Sequence, residues 1–194
     1  MKGKYIFVAF VVLTFALVAL KPTFCLAQIE DVDLEKQLEQ IRECVQKGDN
    51  ESAINLAEEY LKTDSNNIEV LVTLADSNSR IGKFTEAKEV VKKALSIDPT
   101  NVWALTTLAM IYRVEAEQLE SVTAKKKLLN FAQVKIDEAL KLEPEGAWAN
   151  AEAALIYLAR GDKKRANKII EKALELQPNE EYFENIKIKI ESNR

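Results

Sequence analysis

Histidine is absent from the 194-residue chain, and cysteine occurs only twice. Without an imidazole there is no Ser-His-Asp or Cys-His nucleophile system, no HExxH metalloprotease and no His-ligated metal site. Two cysteines without CxxC spacing exclude a disulfide framework and a cysteine-rich zinc site. Five glycines and four prolines are few for a fold of many short strands, whose turns consume both. No glycine-rich phosphate loop occurs, and carboxylate pairs such as Glu58-Glu59 read as solvated helix faces. The chain is therefore not expected to be an enzyme, and no cofactor or metal is implied. A formal charge of −4 argues against a duplex nucleic-acid binder, which needs a basic face. What is present is 47% hydrophobic and 30% charged residues, enough to build a core rather than a disordered tail.

The N-terminal segment differs from the rest. Lys2 and Lys4 precede a run, Tyr5 to Leu20, in which Thr14 is the only polar side chain apart from the Tyr5 hydroxyl; Lys21 and Pro22 end it. With Cys25 and Ala27 at −3 and −1, residues 1–27 read as a secretory signal peptide cleaved after Ala27. The run is short for a membrane span, which wants about 20 residues, so an uncleaved N-terminal anchor is the alternative. Phe24 and Pro22 speak against lipidation of Cys25. Either way the body is expected outside the cytoplasmic membrane, periplasmic or in the cell envelope of a bacterium, touching a membrane only through residues 5–20. Removing the three lysines of residues 1–27 leaves 24 basic against 31 acidic residues, net −7. Cys44 is then the one thiol, read as a small buried residue or, alternatively, a site of intermolecular pairing.

Self-similarity decides the fold. Gly48, Gly82 and Gly161 each precede Ala53, Ala87 and Ala166 by five residues. Seven further come Tyr60, Ala94 and Ala173, and five beyond those Ser65, Pro99 and Pro178. A fourth copy shows as Ala132, Ala139 and Pro144, with Lys127 in the glycine place. The last markers are spaced by 34, 45 and 34 residues, a 34-residue repeat with one 11-residue insertion. Small residues let two helices approach closely, prolines stop the second helix, and Asn67, Asn101 and Asp33 suit N-caps. Apolar residues recur at helical spacing and no stretch alternates as a strand does.

On these residues the chain resembles a tetratricopeptide-repeat (TPR) array. Residues 68–101 (IEVLVTLADSNSRIGKFTEAKEVVKKALSIDPTN) and 147–180 (AWANAEAALIYLARGDKKRANKIIEKALELQPNE) match the motif over its length. Departures are the motif's Trp, replaced by Gln37, Leu71, Leu105 and Asn150, and its Tyr, kept at Tyr112 and Tyr157 but Cys44 and Asn78 earlier. The expected fold is an all-α TPR solenoid of about four helix pairs in a right-handed superhelix. Its units are 34–67, 68–101, 102–146 (with the insertion) and 147–180, after a short leader, 28–33. Residues 181–194 form a capping helix with Phe183, Ile186 and Ile190 on one side. The insertion falls between 112 and 132 and is expected to lengthen both helices of its unit equally, by about 8 Å each, around a turn near Ser121–Ala124.

The resemblance implies a concave groove lined by the second, fifth, ninth and twelfth places of each first helix. These are Glu35, Leu38, Arg42 and Val45, then Glu69, Val72, Asp76 and Ser79. Unit three gives Trp103, Thr106, Met110 and Arg113, and unit four gives Trp148, Ala151, Leu155 and Leu158. Apolar residues concentrate in units three and four, so Trp103, Met110, Trp148 and Leu155 are expected to floor the groove, with Arg113 at its edge and Arg42 and Asp76 further along. The lysine and asparagine set by which some chaperone-linked TPR domains clamp a terminal carboxylate is not matched, since Leu38 and Arg42 stand there. The expected role is a non-enzymatic adaptor that binds a peptide or helix of a protein partner. The alternative is a structural subunit that self-associates through its array ends or Cys44.

Overall fold

Gly48, Gly82 and Gly161 adopt positive φ of 73°, 82° and 83°, and each closes the turn between two helices. In this left-handed region a side chain costs about 1–2 kcal/mol, which is why the repeat keeps glycine there. The computed structural model describes residues 34–192. The signal segment expected at 1–27, the leader expected at 28–33 and the N-cap expected at Asp33 lie outside the described residues.

The described residues form helices joined by short turns and no strand. In order they are α1 (34–46), α2 (Asn50–Thr63), α3 (Ile68–Arg80), α4 (Phe84–Ile97), α5 (Val102–Glu117), α6 (Val122–Leu142), α7 (Ala147–Ala159), α8 (Lys163–Leu176) and α9 (Glu181–Ser192). Local chemistry sets their starts. Asn67 and Asn101 accept hydrogen bonds from the Val70 and Ala104 amides at 3.1 and 2.9 Å, as their spacing predicts. Before α7 the same place is Gly146, which offers no side-chain cap. There Asn150, in the motif's Trp place, is buried and donates to the Pro144 and Gly146 carbonyls at 3.2 and 2.9 Å.

The core is a chain of four clusters, each joining three consecutive helices. Ile41, Ile54 and Val70 link α1, α2 and α3, and Leu71, Val91 and Ile111 link α3, α4 and α5. Leu105, Ile136 and Ile156 link α5, α6 and α7, and Leu155, Ile170 and Phe183 link α7, α8 and α9. Each unit is therefore completed by the first helix of the next, the quasi-one-dimensional logic of a solenoid. At the crowded places Ala53, Ala87, Ala94, Ala132, Ala139, Ala166 and Ala173 are fully buried. Helix α9 closes the last cluster with Phe183, Ile186 and Ile190, as its sequence pattern predicts. Burying a side chain such as Phe183 contributes about 1.5–3 kcal/mol. Unit one departs from the motif at Tyr60, which is buried and whose hydroxyl accepts a hydrogen bond from Asn67 at 3.1 Å.

The insertion is not shared equally. Helix α5 has 16 residues against 13 in α3 and α7, whereas α6 has 21 against 14 in α4 and α8. That lengthens α5 by about 4.5 Å and α6 by about 10.5 Å at 1.5 Å per residue. The turn lies at residues 118–121, earlier than expected, because Ser121 caps α6 by accepting from the Ala124 amide. Lys127 stands where other units carry a turn glycine, so α6 runs through it. Arg160 at the end of α7 ties the extended helix down, donating to the Asn130 side chain at 2.8 Å.

Candidate partner-binding groove

First helices pack on first helices: α3 on α5, α5 on α7, and α7 on α9. Between them lies an open cavity of about 760 Å³. The indole of Trp103 is 49% exposed and that of Trp148 is 53% exposed, and both line this cavity together with Met110 and Asp76. Their exposure follows from register, because the inter-helix places beside them are filled by Ala104, Leu105, Ala149 and Asn150. Four of the seven residues singled out in the sequence are thus brought together.

The other three are placed differently. Leu155 is buried in the last cluster beneath α9, along with its groove-register companions Ala151 and Leu158. The capping helix covers the side of α7 on which the groove would otherwise continue. Arg113 is not a free charge at an edge. It is buried, and it donates from Nε and Nη2 to the two carboxylate oxygens of Glu152 at 2.6 and 3.1 Å, and from Nη1 to Glu117 at 3.0 Å. Arg42 is held by Glu69 at 2.6 Å and Glu39 at 3.5 Å, outside the cavity. Lys88, which reads as an exposed surface lysine, is only 20% exposed and pairs with Glu115 at 2.7 Å.

The structure also brings in residues that the groove register omits. Thr73, Thr107 and Glu152 occupy the sixth place of successive first helices, and all three line the cavity. Arg80 at the end of α3 donates to Asp76 at 3.0 Å. Tyr182 comes from α9, stacked on Trp148 with ring centroids 5.5 Å apart, while Phe183 meets the same indole edge-on at 5.0 Å. The signal for Glu152 was present, because it is the one charged side chain in the apolar α7. Tyr182 had none beyond its neighbour Phe183.

Burial opposes the charge on Arg113, but the facing Glu152 and Glu117 carboxylates outweigh it and raise its pKa, so it stays a cation. Burial pushes the Glu152 carboxyl upward, and Arg113 works against that rise. Burial likewise raises the Tyr182 hydroxyl, helped by Glu152. Among the described residues no group of carboxylates and thiols has metal-binding geometry, and no helix is long and apolar enough to cross a membrane.

Comparison with known proteins agrees with this architecture. The family model of the Psidin N-terminal TPR repeats region matches residues 35–128, and the tetratricopeptide-repeat model matches residues 149–180, together more than half of the chain. The TPR repeat-containing protein YpiA of Bacillus subtilis (strain 168) is 36% identical over 67 residues, which are 34% of this chain and 16% of that protein. The chain therefore matches less than a fifth of that relative's length. The thermophilic TPR protein TTC0263 of Thermus thermophilus is similar with a TM-score of 0.76 at 22% identity, over 81% of this chain and 80% of that one. The first TPR of Spaghetti (RPAP3), solved bound to the HSP90 peptide SRMEEVD, gives a TM-score of 0.50 at 24% identity, over 64% and 90% of the two chains. Period, glycine turns, stacked helix triplets and both family matches agree: the chain belongs to the tetratricopeptide-repeat family.

Proposed function

We propose that this protein is a non-enzymatic adaptor that holds a peptide or helical segment of a protein partner in the groove over Trp103, Met110 and Trp148. The TPR solenoid is a scaffold for protein–protein interaction, and a TPR relative was solved with a peptide. The observation that carries the proposal here is the half-exposure of two tryptophans in one cavity. Exposed aromatic area of this kind marks partner surfaces, and Trp is enriched among their energetic anchors. The occupant is engaged by side chains rather than through a terminal carboxylate, since Arg42 is spent on Glu69.

The adaptor works outside the cytoplasmic membrane in this reading, on the strength of the pattern in residues 1–27. Its mature form then begins at Gln28 and needs no detergent. Intact mass and fractionation test this, and a membrane-bound chain that retains residues 1–27 would establish the anchor instead. For the groove, the chain and its Trp103→Ala/Trp148→Ala variant are used as baits in envelope extract, with mass spectrometry of what is retained. The proposal expects specific partners on the first bait and their loss from the second, with helical content preserved. The same partners on both baits would move the site away from the groove.

A further inference from the structure

Three carboxylates, Asp76, Glu143 and Glu152, line the groove against a single cation, Arg80. Arg113 is buried and shared between Glu152 and Glu117, so it offsets one of these two carboxylates and the trio keeps one net negative charge beneath the groove. Asp76 gives Oδ2 to Arg80, while its buried Oδ1 has no hydrogen-bond partner among the described residues. Glu143 stands exposed at the rim. Beside these acids are the half-exposed side chains of Trp103 and Trp148, the latter with one ring face stacked on Tyr182.

We infer that the segment held in this groove carries a lysine or arginine set between apolar side chains. The inference rests on the groove reading above and adds the charge of its occupant. Indole faces attract ammonium and guanidinium groups through the ring quadrupole, and apolar walls strengthen that attraction by excluding water. The surplus of acid supplies the long-range complement, steering a basic segment in and an acidic one away. Apolar neighbours of the cation then lie on Met110 and the indole edges. An acidic peptide finds the opposite field here, since Arg42 lies outside the cavity and is already paired.

The test is selection of a random 15-residue peptide library on the full chain and, in parallel, on its Trp103→Ala/Trp148→Ala variant. The expected pool is enriched about threefold or more in Lys and Arg beside Leu, Ile, Phe or Met, in line with modest cation–aromatic energies, and disappears on the variant. Selected peptides should bind Glu143→Gln about threefold more weakly, as expected for loss of a rim charge, with circular dichroism melting unchanged. A peptide with norleucine in place of its lysine should bind both proteins alike. A pool rich in Asp and Glu, or equal affinity for the chain and Glu143→Gln, would overturn the inference while leaving the groove reading intact. No enrichment, or a pool indifferent to the tryptophans, would overturn both.

Discussion

Arg113 on α5 and Glu152 on α7 meet through two hydrogen bonds of 2.6 and 3.1 Å, with both side chains 7% exposed. The pair crosses the seam between units three and four, beneath the groove. Its worth lies in being complete. Removing one partner strands a buried charge, typically at a cost of about 3–5 kcal/mol.

Glu152→Ala should therefore lower the unfolding free energy by about 3 kcal/mol or more, although Glu117 remains beside Arg113. Replacing both residues by Met and Leu should recover most of that loss. Denaturant unfolding of the parent chain and the two variants checks this, and a double variant no more stable than Glu152→Ala would show that the two residues do not act as a pair.

Ala94 and Ala139 are fully buried where a second and a first helix nearly touch. Leu at either place should overpack the interface and cost about 1–3 kcal/mol. Lys92→Ala, on an exposed part of α4, should change stability by less than about 0.5 kcal/mol. Lys88→Ala should cost more than Lys92→Ala, because Lys88 pairs with a half-buried Glu115. Equal thermal midpoints across the set would contradict the assigned packing.

Gly82 and Gly146 should respond oppositely. Gly82 holds φ of 82°, so Gly82→Ala should cost about 1–2 kcal/mol. Gly146 has φ of −68° in the place that Asn67 and Asn101 fill elsewhere. Gly146→Asn should restore a cap and gain a few tenths of a kcal/mol, roughly the difference between the two residues as N-caps. Thermal melting of both variants reads the two signs directly.

Much of the fold was legible because the repeat encodes it locally. Glycine at three turns, alanines at the crowded places and asparagines at two caps each have one structural reading, and the structure keeps them. The insertion was legible in position but not in its division, because no Gly or Pro between 113 and 131 marks the turn. Ser121 decides it by capping α6. The site was legible where exposure follows from register, as for Trp103 and Trp148. It was not legible where a residue's surroundings come from another element. Leu155 lies under α9, Arg113 is claimed by a carboxylate 39 positions away, and Tyr182 enters the groove from the cap.

Acid should weaken the fold through its turns. Ser52 holds the Asp49 carboxyl below its ordinary 3.8, and Thr100 does the same for Asp98. A carboxyl depressed in the folded state binds fewer protons there than in the unfolded state. Its stabilisation is complete above about pH 3.8 and is lost as pH falls through the lower folded value. Asp49→Asn/Asp98→Asn should flatten the decline below that pH, since Asn retains capping ability. An unchanged acid profile would assign the decline to other groups.

The most direct test of the account measures melting and partner affinity side by side for Trp103→Ala. Its indole is half exposed in the groove and absent from the four core clusters. Binding should weaken by about 2 kcal/mol or more, as for an aromatic anchor, while the circular dichroism melting curve stays close to that of the parent chain. Affinity unchanged by the substitution, or a fold lost together with binding, would contradict the claim that Trp103 serves a partner rather than the core.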